Sequence, residues 1–515
     1  MKTQAADAVT NRSRTRRYAS RLGWLLLVVA LTLLAVRIYD SQRGPPLELW
    51  HTYVPAELDA DELEAADWPR YLEAEDAAFA QVRREVTEKL ESEDRVPVNR
   101  YFDGSVVYPP SFVQDYNRSF VLEPDGEPAG VVVLLHGLTD SPYSQRHFAE
   151  AWRAHGFVAL AIRLPAHGTV PAALAEVDWE DWVAATRLAV REARRRVPAP
   201  RPLHIVGFSN GGALAVKYAL DALEDPALPR ADRLVLVSPM IGITRFARFA
   251  GLTALPAKFP AFAKAAWLSV TAEFNPFKYN SFPVNGATQS HDLTAVLQAQ
   301  VARHAAKGKL EGMPPVLTFQ SVTDFTVSTR AIIAAFYDFL PANGSELVLF
   351  DVNRTSKFGP LLRRASETLV ERLLPPPPRA YRTSVITNAD ARSTAVVKRV
   401  VEAGTTLELQ HALELEYPID VYSLSHVALP FPMSDGLYGL RPDPAEQFGL
   451  NLGTIAARGE IGALVVNMNA MLRMSSNPFF PFMLERIDEL IAADLPPAAA
   501  PLPAAPAPAA ETGSP

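Results

Sequence analysis

Two apolar signatures alternate along the middle of the chain. One is a short run that is apolar from end to end or nearly so: Val131–Leu135, Phe157–Ile162, Leu203–Val206, Arg233–Val237, Pro315–Gln320 and Glu346–Asp351. Such runs mark strands buried on both faces. The other is a stripe of apolar residues at three- and four-residue spacing. It predicts helices up to about His155, from Asp178 to about Arg196, over Ala213–Leu220 and from Asp324 to about Leu340. Strand and helix in alternation predict a mostly parallel sheet covered by helices on both faces.

The pattern changes toward both ends. Residues 1–21 carry Lys2, Arg12, Arg14, Arg16, Arg17 and Arg21, and an apolar run from Leu22 to Val36 follows. No small-x-small cleavage site comes soon after, so residues 22–39 are expected to be an uncleaved transmembrane anchor rather than a signal peptide. The basic flank predicts a cytoplasmic N-terminus and a body on the extracytoplasmic, periplasmic side. Residues 40–96 read as a linker and an acidic amphipathic helix, whose stripe is Leu72, Phe79, Val82, Val86 and Leu90. Residues 97–130 predict irregular or short β structure, and the main domain extends over 97–493.

Two stretches interrupt the alternation inside that domain. Residues 241–312, rich in Phe, Ala, Leu and Pro, are expected either as a cap over the carboxyl edge of the sheet or as an insertion packed for stability. Residues 352–417 form a second insertion, in which Thr406–Leu413 alternates like a half-exposed antiparallel strand. Ile419–Leu424 then predicts a strand ending at Ser425-His426. A last helix is expected over Pro478–Ala493, and the Pro/Ala-rich residues 494–515 as a disordered tail.

Composition narrows the chemistry. The formal charge is −7, from 57 acidic and 50 basic residues, which does not suggest a nucleic-acid partner. There is no cysteine, so disulfides, zinc-thiolate sites and a cysteine nucleophile are excluded. Nothing in the sequence calls for a metal or a cofactor.

Gly207-Phe208-Ser209-Asn210-Gly211-Gly212 sits between a predicted strand and a predicted helix. That is the context in which G-x-S-x-G is a nucleophile elbow, lifting a serine hydroxyl from a sharp turn. A serine hydroxyl needs a base, and the base an orienting acid, in the chain order serine, acid, histidine. Of ten histidines, only His411 and His426 follow both the serine and a suitable acid. His411 lies within an alternating strand and His426 directly after one, so His426 is the expected base. Asp324, at the carboxyl end of the Pro315–Gln320 strand, is the expected acid, with Asp351 as runner-up. An oxyanion needs donors. The amide of Asn210 is one, and the amide of Leu138, after His136-Gly137, is the other.

Taken together, HGLTDSPYS, RLPAHG, VDWEDW, GFSNGG, SVTD and SLSHVALPF resemble the α/β-hydrolase superfamily, nearest to its monoacylglycerol lipase, lysophospholipase and serine aminopeptidase-like branch. The resemblance spans about residues 97–490. It implies an α/β-hydrolase fold with Ser209 as nucleophile, Asp324 as acid, His426 as base, and Leu138 with Asn210 as oxyanion hole. The stretch from Asp324 to His426 is longer than is usual in that family. The expected activity is a membrane-anchored serine hydrolase acting on lipid-like or acyl carboxylic esters. An aminopeptidase or thioesterase of the same superfamily, or an inactive hydrolase-like binding module, are the alternatives.

Overall fold

The apolar runs become strands, and the central ones are buried along their whole length. The computed structural model describes residues 18–39 except 19, 30 and 37, then 44–242, 255–357, 368–454 and 475–495. The strands of the main sheet, apart from a short two-stranded pair of Trp267–Ser269 with Phe282–Pro283, are β1 (Phe120–Leu122), β2 (Gly130–Leu135), β3 (Phe157–Ile162), β4 (Leu203–Phe208), β5 (Arg233–Val237), β6 (Val316–Ser321), β7 (Glu346–Phe350), β8 (Arg382–Asn388), β9 (Ala395–Val401) and β10 (Glu408–Glu416). Among the described residues they make one sheet in the order β1-β3-β2-β4-β5-β6-β7-β8-β9-β10. Pairing is parallel from β3 through β8. It is antiparallel where β1 joins one edge and where β9 and β10 close the other.

Successive side chains of a strand point to opposite faces, and two separate cores follow from that. Val131, Val133 and Leu135 face one core with Leu203, Ile205, Leu234 and Leu236. Helices α3 (Trp179–Arg196) and α4 (Asn210–Glu224) cover it through residues such as Trp182, Leu188, Leu214 and Tyr218. Val132, Leu134, Val206, Phe208, Val235 and Phe319 face the other core. There α2 (Arg146–Ala154) and the last helix, Phe480–Asp494, supply Phe148, Trp152, Met483 and Ile487. Each such fully buried side chain is worth about 1.5–3 kcal/mol of transfer free energy.

The acidic N-terminal stretch is part of this body. Helix α1 (Trp68–Glu85) opens on Asp67, whose side chain accepts from the Arg70 amide, with Pro69 in the first turn. Its stripe buries Val82, while Val86 and Leu90 follow into the same core. Glu75 is buried on the same face. It accepts from the Ser119 hydroxyl at 2.8 Å and pairs with Arg163 Nε at 3.0 Å, while Glu57 reaches the other side of that guanidinium at 2.8 Å. The Tyr71 hydroxyl donates to the Arg163 carbonyl.

The transmembrane helix expected at 22–39 is not supported. No helix among the described residues is long and apolar enough to cross a membrane. The apolar run from Leu22 to Val36 would reach only about 22 Å as a helix, short of a hydrocarbon core of about 30 Å. What the structure gives there is helix with exposed Leu22, Leu25, Leu26 and Leu33.

Ile419–Leu424 is not a strand. The Asn353 side chain donates to the Pro418 and Val421 carbonyls at 2.9 and 2.7 Å, and the Asn353 and Lys357 amides donate to Tyr422 and Ile419. With its backbone held by these groups the segment turns instead of joining the ladder. The expected insertion at 352–417 supplies β8, β9 and β10, so it widens the sheet. In the expected cap, Leu293, Leu297 and Val301 of the helix Val284–Ala305 pack into the first core, while the loop around Phe274–Asn280 reaches the carboxyl edge. Residues 1–17 of the expected basic flank at 1–21, residues 243–254 of the cap, residues 358–367 of the insertion and residues 496–515 of the tail expected at 494–515 lie outside the described residues.

Candidate active site

Strand β4 ends at Phe208 and helix α4 begins at Asn210, leaving Ser209 alone to turn the chain. It does so at φ 53° and ψ −112°, a conformation that costs a side-chain-bearing residue about 1–3 kcal/mol. The Ser209 amide donates to the Val237 carbonyl at 3.0 Å, and the Met240 amide donates back to the Ser209 carbonyl at 2.9 Å. The glycines make room for this. A Cβ on Gly207 would lie 2.3 Å from the Gly211 carbonyl oxygen, and one on Gly211 would lie 2.1 Å from that of Leu135.

The late histidine meets the expected acid. His426 Nδ1 and Asp324 Oδ2 are 2.8 Å apart across 102 residues of chain. Asp324 Oδ1 accepts from the amides of Thr326 and Val327 at 2.8 and 3.0 Å. Burial would raise the Asp324 carboxyl, but the His426 charge, the hydrogen bond to it and these two amides prevail and hold it below the usual carboxylate range. The His426 ring packs against Phe208, centroids 5.2 Å apart, which brings it beside the elbow. No hydrogen bond joins the Ser209 hydroxyl to His426 in this state, as is common before substrate binds. Asp351 takes no part. Its carboxylate binds Arg354 and Thr387, each at 3.0 Å, and the Val352 amide at 2.8 Å. His411 stands exposed on the edge strand β10.

The turn after β2 lies against the same serine. A Cβ on Gly137 would come within 3.3 Å of Ser209 Cβ. His136 braces this turn: Nδ1–H donates to the Gly137 carbonyl at 2.9 Å, and Nε2 accepts from the Leu164 amide at 2.9 Å. Burial, and the neighbouring His167, hold it neutral, well below the ordinary imidazole range. The Gly137 amide donates to Asp140 Oδ2 at 3.4 Å, and the Tyr279 amide ties the next loop to the Thr139 carbonyl at 2.8 Å. Neither the Leu138 nor the Asn210 amide is engaged by an acceptor among the described residues.

A cleft of about 310 Å³ opens beside these groups. Phe208 and Val427, the chain neighbours of Ser209 and His426, line its base. Phe274, Phe431 and Leu452 make its walls apolar, while Asp140 and Lys278 are its charged lining residues. Burial raises the Asp140 carboxyl, against the opposing pull of Lys278 and hydrogen bonds from Ser144, Ser141 and Gly137.

The wall that sequence reasoning missed comes from residues 427–454. It is fastened by Asp435, fully buried, which accepts from Tyr143 at 2.9 Å and from Arg146 at 2.7 Å and faces His147 at 3.0 Å. Glu446 pairs with the same arginine. Burial opposes ionisation of Asp435, yet the Arg146 charge and His147 keep it well below the usual carboxylate range. The partners are about 290 residues apart, and no local pattern announces such a pair.

Residues 126–352 match the family Hydrolase_4, serine aminopeptidase S33. A thermostable monoacylglycerol lipase of Bacillus sp. (strain H-257) is 33% identical over 92 residues, covering 18% of this chain and 35% of that protein. Phospholipase YtpA of Bacillus subtilis (strain 168) is 24% identical over 117 residues, 22% of this chain and 42% of the relative. The chain thus spans 35–42% of the length of these curated relatives. Among solved structures, a soluble variant of monoglyceride lipase from Saccharomyces cerevisiae is 14% identical at a TM-score of 0.36, covering 45% of this chain and 81% of its own.

Proposed function

We propose, for a chain whose residues 126–352 belong to the α/β-hydrolase superfamily in its monoacylglycerol-lipase-like branch, that the protein is a serine hydrolase cleaving acyl, lipid-like carboxylic esters. The observation that carries the reading is Ser209, held at positive φ on the elbow beside a His426–Asp324 pair closed at 2.8 Å. His426 Nε2 takes the hydroxyl proton as Ser209 Oγ attacks the acyl carbon. Asp324 keeps the other ring proton on Nδ1 and stabilises the imidazolium. The Leu138 and Asn210 amides receive the developing oxyanion, assisted by the positive end of α4. His426 then returns its proton to the leaving alkoxide, and water clears the acyl group from Ser209 by the reverse sequence.

The cleft favours esters with an apolar acyl part, through Phe208, Phe274, Phe431 and Leu452. The notable acid in its lining is Asp140, whose carboxylate already braces the Gly137 turn. A peptidase holding a free α-amine needs more negative charge there, which is why the ester reading is preferred. The test is hydrolysis of p-nitrophenyl esters of graded chain length, with fluorophosphonate labelling, by the parent and Ser209→Ala. Loss of both signals in a folded variant is expected. Unchanged turnover in Ser209→Ala refutes the proposal.

A further inference from the structure

A second cavity, of about 280 Å³, lies between α1 and the loops that precede β1. Phe79, Val82, Tyr101 and Tyr108 give it aromatic and aliphatic walls, and Arg100 and Arg118 also line it. Arg118 is satisfied at the rim, paired with Asp76 and with Asp115. Arg100 differs. It is only 2% exposed, and among the described residues no carboxylate forms an ion pair with it.

Its neighbours are neutral acceptors. Nη1 donates to the Asn275 carbonyl at 3.2 Å, and Nη2 to the Asn117 side chain at 3.0 Å and the Gly168 carbonyl at 3.1 Å. The guanidinium carbon lies 5.6 and 5.7 Å from the ring centres of Tyr101 and Tyr279. The acid on the adjoining loop, Glu273, spends its oxygens on the Asn280 and Ser281 amides at 3.0 and 2.7 Å. The Arg100 Nε–H is buried and has no acceptor. Glu273 is thus the opposing charge that Arg100 feels without a hydrogen bond between them, and a buried cation with no ion-pair partner is expensive, as is an orphaned donor. Both costs vanish if an anion enters the cavity that this side chain lines.

We infer that this cavity binds an amphiphilic carboxylate, its anionic end on Arg100 and its tail among Phe79, Val82, Tyr101 and Tyr108. At about 30 Å³ for each water-sized unit, the volume takes about nine such units, the scale of a medium-chain acid. The cavity is walled by the N-terminal helix and is distinct from the cleft at Ser209, so the inference stands apart from the catalytic reading. Arg100 lines only the second cavity, but its acceptor Asn275 and the ring of Tyr279 line the other cleft.

Calorimetric titration of the full chain with octanoate and with octanol tests it. Saturable single-site binding of octanoate is expected, with octanol weaker by at least about tenfold, the discrimination one charge-assisted hydrogen bond provides. Ala80→Trp fills the second cavity from its exposed rim and leaves Arg100 in place. Val427→Trp fills the cleft beside Ser209 instead. Octanoate affinity should fall by about tenfold or more in the first variant and hold in the second. No saturable binding, equal affinity for octanol, or loss in Val427→Trp with retention in Ala80→Trp each overturns the inference.

Discussion

Replacing Asp324 by asparagine separates charge from shape at the acid position. In the parent, Oδ1 accepts from Thr326 and Val327 while Oδ2 faces His426 Nδ1 at 2.8 Å. An asparagine keeps its single oxygen on the two amides, so its NH2 group must point at Nδ1. The imidazole then accepts at Nδ1 and carries its proton on Nε2, the nitrogen needed as the base. Loss of the charge-assisted hydrogen bond alone costs about 1.5–3 kcal/mol. At about 1.36 kcal/mol per tenfold this is roughly a 10- to 150-fold fall in kcat. With the tautomer inverted as well, the loss approaches about 10⁴-fold. The control is Asp351→Asn, at a carboxylate that binds Arg354 and Thr387. It should lower the melting temperature and leave kcat within about twofold, a change below 0.5 kcal/mol in barrier. The assay is kcat for a p-nitrophenyl ester, with circular dichroism to verify folding. Asp324→Asn retaining kcat within about threefold, or Asp351→Asn falling as far as Asp324→Asn, refutes the reasoning.

Two further outcomes concern stability. Burial pushes His51 and His167 down to about 3 from the ordinary 6.5. The unfolded chain therefore binds more protons below pH 6.5, and stability is lost as pH falls from there toward 3. Each histidine contributes a loss of about 2 kcal/mol by pH 5, so the urea midpoint should drop clearly between pH 7 and pH 5; equal midpoints contradict this. Glu75→Ala removes one of two carboxylates from buried Arg163 and should destabilise the fold by about 3 kcal/mol, with α1 becoming trypsin-sensitive. A melting curve that superposes on the parent's would show that the arm is held by other contacts.

The central sheet was legible because β2 through β7 are largely apolar and buried on both faces, as a parallel sheet between two layers requires. The elbow was legible for a related reason: Gly207 and Gly211 face backbone at distances no Cβ tolerates, so the motif is written by sterics. The pairing of Asp324 with His426 was legible because chain order and strand ends leave few candidates. The strand expected at Ile419–Leu424 failed because its apolar residues do go inward, Val421 and Leu424 being buried, while Asn353 claims its backbone. Arg100, Arg163 and the Arg146–Asp435 pair were illegible. A buried charge has no period, and its partners lie on distant elements.

The 102-residue separation of Asp324 and His426 sets an order of events during synthesis. As a flexible loop that span would cost about 4 kcal/mol to close, but β8, β9 and β10 take it up as strands of the same sheet. At about 5–20 residues per second, the ribosome takes on the order of 5–20 s to travel from Asp324 to His426. Throughout that interval Ser209 and Asp324 exist without His426. On the proposed mechanism a nascent chain therefore carries a silent nucleophile, and hydrolysis waits until the widened sheet edge has been made.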